Sequence, residues 1–318
     1  MNHAVHLNKP FRQEESDPFY QMCLAAREGD LAEFEGKHKL LATRKESCVS
    51  EEESALFNDA LLLCPFKDDV WEHNLRSLDQ LGVPIVKVKA KNNGGLAGSA
   101  TGDECGLKAI VYLAKGAKVM LTMNIWTKAG LVNGTMGTIE DFYFAPGSPE
   151  EPAAVLVRFP QYPANGPCFP GLEHGVLPIT PSTVHFKKGT SPCERTQYAL
   201  ALAWSVTIHK SQGMTIGPGQ AWERMVLNLG NRELSTGLTF VAISRAKSLK
   251  CILFKHGTFP TALRLTKCKT DSMERRKFED ERLMVLSELT LGARLGGPAG
   301  VAFNARNSAA LRAGVPTA

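Results

Sequence analysis

Between residues 108 and 190 the apolar residues fall into short runs closed by turn chemistry, whereas both flanks carry longer strand and helix patterns. Val119-Met120-Leu121-Thr122, Gly137-Thr138-Ile139 and Ala154-Val155-Leu156-Val157-Arg158-Phe159 have strand composition, and Asn133-Gly134 is a strong tight-turn pair. Prolines at 146, 149, 152, 160, 163, 167 and 170 cannot donate to a strand ladder, so they punctuate loops and confine strands to edges. A small antiparallel barrel satisfies this pattern. Because α/β character stands on both sides of it, the barrel is expected as an insertion within another domain.

The flanks read as follows. Phe19, Met22, Cys23, Ala26, Leu31 and Phe34 recur at helical spacing behind Ser16, Asp17 and Pro18, which predicts a helix over 16 to 35 and then a charged helix or loop to about 53. An apolar run over 60 to 65 ends at Pro65, and Val70, Leu75, Leu78 and Leu81 recur before Gly82, which makes one strand-helix unit. Residues 85 to 89 alternate apolar and basic, and the glycines and asparagines of 92 to 106 mark a loop leaving the domain. Past the barrel, a helix is expected over 196 to 204, strands at 225 to 229 and 250 to 254, and a helix around 235 to 248. Residues 271 to 288 alternate charge and read as a solvated helix, while the tail beyond 293 is too poor in bulky residues to pack and is expected to be disordered.

With 318 residues, 43% hydrophobic and 22% charged, the chain has ordinary globular composition and can bury one or two cores. A net charge of +5 permits a polyanionic partner without requiring one. Eight cysteines without a Cys-x-x-Cys pair, and no histidine at ligand spacing, indicate neither a metal site nor a disulfide framework. No signal peptide opens the sequence and no stretch is long enough to span a membrane, so an intracellular setting is expected, nuclear if the source is eukaryotic.

Two strings carry the chemistry. Thr207-Ile208-His209-Lys210-Ser211-Gln212-Gly213-Met214-Thr215 ends the apolar run 199 to 206 with hydroxyls, an imidazole, an ammonium and an amide, a set suited to a charged, oxygen-rich ligand such as phosphate. Phe240-Val241-Ala242-Ile243-Ser244-Arg245-Ala246, taken alone, reads as a short strand delivering one arginine in a Ser-Arg step, where a guanidinium fork can reach phosphate oxygens. Either string alone is better read as a buried strand with a solvated end; their order and spacing together favour function.

Other stretches belong with them. Phe11-Arg12-Gln13, with Asp17-Pro18-Phe19 and Arg27-Glu28-Gly29 behind it, and Leu63-Cys64-Pro65 before Val70, precede the barrel tract. Within that tract lie Lys115-Gly116-Ala117-Lys118-Val119-Met120-Leu121 with Asn124, then Gly130-Leu131-Val132-Asn133-Gly134-Thr135-Met136-Gly137. Together these strings resemble the C-terminal half of the Pif1-like helicases of superfamily 1B, a group that includes RecD and the helicases of Helitron transposons. The resemblance covers roughly residues 5 to 256. It implies an α/β fold: a RecA-like second motor domain of the P-loop NTPase type, without a phosphate loop of its own, interrupted by a small SH3-like β-barrel. On that reading the motor domain occupies 1–104 and 196–265, the barrel 105–195, a charged C-terminal helix 266–292 and the tail 293–318.

The resemblance also implies roles. Arg245 is similar to the motif VI arginine and Arg12 to the motif IV arginine, both expected as catalytic groups that meet the γ-phosphate of ATP held on the other motor domain. Thr207 and His209 are expected on the backbone of single-stranded DNA. Lys210, Ser211, Gln212 and Gly213 would relay between the two sites, Ser211 on the DNA side and the other three on the nucleotide side. Where the family usually has threonine and asparagine after Cys64-Pro65, this chain has Phe66 and Lys67. Lys67 could meet a phosphate, and Phe66 either stacks on a base or packs under a helix.

No Gly-x-x-x-x-Gly-Lys-Ser/Thr loop occurs, since Gly36-Lys37 is followed by His38 and lacks the leading glycine. Nor does an apolar strand end in paired acids for magnesium, because Gly102-Asp103-Glu104-Cys105-Gly106 lies in a glycine-rich loop. ATP and Mg2+ are therefore expected only in the context of a complete motor. The expected partners are single-stranded DNA and a phosphate-loop domain that would precede Met1, and the chain is expected to be inactive alone. Two readings stay open: the second motor half of an ATP-dependent 5′-to-3′ DNA helicase, or a standalone or decayed transposon-derived nucleic-acid-binding protein without enzymatic activity.

Overall fold

The computed structural model describes residues 11–28, 30–147, 150–231, 233–255, 274 and 277–285. The chain opens with α1 (Pro18–Glu28), α2 (Leu31–Ala42) and α3 (Glu51–Ala55), followed by β1 (Leu61–Cys64) and α4 (Lys67–Asp79). A series of short elements comes next: β2 (Val86–Lys89), β3 (Lys91–Asn93), the helical turn α5 (Gly102–Cys105), β4 (Ile110–Leu113) and β5 (Lys118–Leu121). It continues through β6 (Met136–Tyr143), β7 (Ala154–Arg158), β8 (Val176–Ile179), β9 (Ser182–Lys188), β10 (Ser191–Gln197) and β11 (Leu200–Leu202). The last elements are β12 (Ser205–Thr207), β13 (Met225–Leu227), α6 (Leu238–Ile243) and β14 (Ile252–Phe254).

Leu61-Leu62-Leu63-Cys64 carries no polar residue, and β1 is buried along its whole length, as the centre of a parallel sheet covered on both faces must be. It pairs in parallel with β12 on one side and β13 on the other, and β13 pairs in parallel with β14. Phe19 and Met22 of α1 and Phe34 and Leu41 of α2 share one core with Leu61, Leu63, Met225 and Leu227. Buried Asn74 ties α4 to the edge of this sheet. Its Nδ2 donates to Ser205 O at 2.9 Å, its Oδ1 accepts from Ser205 N at 2.9 Å, and Ser205 Oγ donates to Leu62 O at 3.0 Å.

Among the described residues, all antiparallel pairing falls between β1 and β12 in sequence. One sheet has the order β11-β5-β6-β7-β8; β2 pairs with β4, and β10 lies between β3 and β9. A second core, built on Leu121, Ile139, Val155, Val157, Leu177 and Leu200, fills this part and reaches Leu78 of α4. Gly137 is required where β6 crosses β7, because a Cβ there would lie 2.6 Å from Val157 Cγ1 and 2.7 Å from Arg158 O. The register of β6 against β7 shifts between Ile139 and Asp141, a bulge that bends the sheet. Antiparallel strands thus run from 86 to 202, a wider span than 105–195.

Several local expectations are corrected. The helix expected over 196 to 204 is absent: Tyr198 through Ala203 are all buried, and the chain instead makes β11 against β5 and then β12 against β1. An unbroken apolar run has no polar face to period, so strand and helix cannot be told apart within it. The helix expected over 16 to 35 is two helices, Pro18–Glu28 and Leu31–Ala42, with Asp30, an N-cap type of residue, just before the second. Phe240 to Ile243, strand-like in composition, are helical, and α6 is six residues long rather than the length of 235 to 248. The loop expected over 92 to 106 contains α5, closed by a capping box between Thr101 and Glu104. In the charged segment Glu274 and residues 277–285 are helical and mostly exposed, while the tail beyond 293 lies outside the described residues. No helix among the described residues is long and apolar enough to cross a membrane.

Replacing Asn74 by alanine leaves the buried Ser205 N–H without its acceptor and should cost about 1–3 kcal/mol. Denaturant unfolding should show this as a lower midpoint at unchanged slope; a loss within about 0.5 kcal/mol, ordinary for a surface substitution, would show that Asn74 does not fasten α4 to β12.

Candidate functional site

The loop after β12 is built by its own side chains. Thr207 is buried, and its hydroxyl accepts from Lys210 N at 3.2 Å, closing a single 3-10 turn over His209–Ser211. Ser211 is fully buried and donates from Oγ to Ile208 O at 2.7 Å. Gly213 then takes a φ of 88°, a left-handed conformation that side chains resist, and the chain doubles back. Ile216 N donates to Arg245 O at 2.9 Å and Lys247 N to Ile216 O at 2.8 Å. Backbone hydrogen bonds therefore join Ile216, the residue after the first string, to the end of the second.

Arg12 is fastened across this junction. Its Nε donates to Thr215 Oγ1 at 3.2 Å, Nη1 to Ser244 O at 3.0 Å and Nη2 to Met214 O at 3.1 Å. Gln13 Nε2 adds a bond to Ala246 O at 2.7 Å. Arg245 folds back on its own helix, Nε to Val241 O and Nη2 to Ser244 Oγ, both at 2.8 Å. A guanidinium has five N–H donors, so both groups keep donors in reserve. Neither arginine forms an ion pair with an acid among the described residues. Burial, and then repulsion by Arg12, pull the Arg245 pKa down to about 10, and burial lowers that of Arg12. The nearby Cys23 supplies no counter-charge at neutral pH, because burial pushes its thiol up to about 12. Two half-buried cations held together by carbonyls and hydroxyls form a site poised for an anion.

The other side of the loop faces a cleft of about 940 Å3 between it and the antiparallel sheet. Lys67, Lys108, Lys210 and Gln212 line it, with Asp103 and Trp222. Lys108 stacks over Trp71 at 5.1 Å, and burial followed by repulsion from Lys210 lowers its pKa. Met214 and Thr215 line the cleft and also accept hydrogen bonds from Arg12. One backbone segment thus has an arginine side and a lysine side.

No family model matches the sequence. The ATP-dependent DNA helicase PIF1 of Danio rerio is 31% identical over 251 residues, 78% of this chain and 35% of that protein. The Homo sapiens protein of the same name is 32% identical over 191 residues, 60% of this chain and 26% of its own length. Among solved structures, the Pif1 helicase from Candida albicans superposes with a TM-score of 0.63 at 22% identity, covering 85% of this chain and 59% of that one. Bacteroides sp Pif1 in complex with ADP-AlF4 gives 0.58 at 22% identity, covering 88% and 58%. The chain belongs with the Pif1-like helicases of superfamily 1B. It spans about a third or less of the length of these two curated relatives, at 35% and 26%.

In this Pif1-like chain the site residues named from sequence fall into four places. Arg12 and Arg245 meet at the loop junction. Lys67, Lys210, Gln212 and Gly213 line the cleft, which sets Lys67 of the expected DNA set beside the three residues expected on the nucleotide side. Thr207 and Ser211 are buried and hold the turn, and Ser211 in particular turns its hydroxyl inward rather than toward a ligand. His209 is exposed and stands outside the cleft lining. Phe66 is 48% exposed, which removes the packed alternative. Lys108, Asp103 and Trp222 were not singled out as site residues. No motif marks them: Asp103 and Lys108 come from one glycine-rich segment and Trp222 reaches the same cleft from far along the chain.

If the arginine pair is an anion site, inorganic pyrophosphate should raise the melting temperature more than chloride of equal ionic strength, by the equivalent of about 2.7 kcal/mol at a hundredfold excess over its Kd. The difference should vanish in Arg12→Ala/Arg245→Ala; persistence there would place the anion elsewhere.

Proposed function

We propose that the chain is the second motor half of an ATP-dependent 5′-to-3′ DNA helicase of the Pif1 type, completed by a phosphate-loop domain, and inactive in hydrolysis without one. The observation that carries this reading is the junction of Arg12 and Arg245, with Arg12 reaching Ser244 across 232 positions and no acid paired to either guanidinium among the described residues. In a complete motor ATP and Mg2+ would be gripped by the phosphate-loop domain, supplying the transferable phosphoryl group. The donors that Arg12 and Arg245 keep free fit its oxygens, where a guanidinium stabilises the charge that spreads in the transition state. The same reading takes the parallel sheet as the RecA-like second motor domain and the antiparallel part as its SH3-like barrel.

Single-stranded DNA is the proposed occupant of the lysine cleft. A relative of similar fold, Bacteroides Pif1, has been solved bound to single-stranded DNA. Lys67, Lys108 and Lys210 are point charges on flexible stems, suited to meeting phosphates and releasing them. If each meets one phosphate, the slope of log affinity against log salt should be about −2. A slope near zero would argue against phosphate contacts by these lysines. An intracellular setting, nuclear in a eukaryote, goes with this reading.

The purified chain should hydrolyse no ATP, with or without single-stranded DNA. Fused behind a phosphate-loop motor domain of this family, it should complete a DNA-stimulated ATPase, and Arg245→Ala in the fusion should slow turnover on the order of a thousandfold while nucleotide binding stays nearly intact. A fusion that stays inactive while the chain still binds single strands would favour the alternative, a standalone nucleic-acid-binding protein.

A further inference from the structure

The segment between β3 and β4 carries an acid into the lysine cleft. Asp103 accepts from Lys67 Nζ through Oδ2, and this bond, reinforced by Lys210 and Lys108, holds its carboxyl below the usual carboxylate range. The cleft thus holds three lysines and one carboxylate. Asp103 does for the empty cleft what a phosphate would do for the occupied one: it neutralises crowded ammonium groups. Its charge raises the Lys108 pKa against the pull of burial and of Lys210.

The body that presents Asp103 is clamped. Arg195 of β10 is fully buried, and its guanidinium donates to Asn92 Oδ1 at 2.8 Å, Ala97 O at 2.7 Å, Ala100 O at 2.9 Å and Leu107 O at 3.0 Å. Glu104 closes the capping box of α5 and pairs with Lys188 at 3.3 Å, whose Nζ also donates to Ser99 O at 2.8 Å. The backbone that carries Asp103 is therefore held in place whether or not Lys67 is paired to its carboxylate. The pair itself is wet, with side chains 72% and 66% exposed. An exposed pair of this kind, screened by water, contributes little. A fixed acid in a weak pair is a ligand that a phosphate can replace.

We infer that Asp103 is a built-in competitor for backbone phosphate at Lys67: it occupies the lysine when the cleft is empty and yields it to a bound strand, which keeps the grip on single-stranded nucleic acid weak and releasable. The inference rests on the reading of the cleft as the nucleic-acid site. It makes Asp103 a residue that sets affinity, and it places the weakening in the chain itself rather than in the salt around it.

Fluorescence anisotropy of a labelled oligothymidylate, titrated with the full chain at low salt, tests it. Asp103→Asn should tighten binding by roughly two- to fivefold, the loss of one exposed ion pair expressed as affinity. Asp141→Asn, which removes an acid paired with Lys115 at 3.1 Å outside the cleft lining, should leave affinity unchanged. In a Lys67→Gln background the gain from Asp103→Asn should disappear. Equal gains from Asp103→Asn and Asp141→Asn, or a gain that survives Lys67→Gln, overturn the competitor in favour of a general charge effect. Weakening by Lys67→Gln with no gain from Asp103→Asn overturns the competitor alone. Binding indifferent to both Lys67→Gln and salt overturns the cleft reading beneath it.

Discussion

Strand β1 lies between two parallel neighbours that the chain reaches only after the whole antiparallel part has been made. Leu62, Leu63 and Cys64 pair with Ser205, Val206 and Thr207, and Leu61 to Leu63 pair with Met225 to Leu227. The first pairing closes a loop of about 140 residues, so its entropy must be recovered from burial of β1 and from the Asn74 and Ser205 bonds that seal the seam. It also fixes the cleft. Cys64 and Thr207 are register partners, Lys67 stands three positions beyond one and Lys210 three beyond the other. Both lysines leave from the carboxyl ends of adjacent parallel strands, where open α/β sheets bind their ligands.

The segment from Met214 to Ile216 then joins two environments. Thr215 lines the cleft and accepts from Arg12, and Ile216 is bonded to the backbone on both sides of Ala246. One strip of backbone, Met214 and Thr215, thus borders the cleft and supplies acceptors to Arg12.

Sequence reading succeeded where chemistry and period agree. The Asn133-Gly134 turn and the runs around 119, 137 and 154 gave the strands β5, β6 and β7, and the Leu61 run followed by Val70, Leu75 and Leu78 gave β1 and α4. It failed where a run is apolar on every side, as over 198 to 203, and where β-branched composition was overruled by packing, as in α6, whose Leu238, Ala242 and Ile243 turn to the core. Arg12 and Arg245 could be singled out by their motif strings. Asp103 could not, because its meeting with Lys67 is set by how Arg195 folds the 92–107 segment, and such a contact leaves no local pattern.

The two faces of the loop differ in one physical respect. The arginine face has no acid paired to it among the described residues, so each guanidinium carries the cost of partial burial, visible in the Arg245 pKa of about 10, and in the proposed motor the phosphoryl group would offset it. The lysine face has its own acid, so one of its three lysines is already paired and a phosphate arriving at Lys67 gains only the difference. A site with no internal counter-ion binds its anion more strongly than one that must first displace Asp103. Transition-state stabilisation needs the first arrangement, because charge must be met at once by groups already in place. Stepping along a strand needs the second, because each phosphate gripped must also be released.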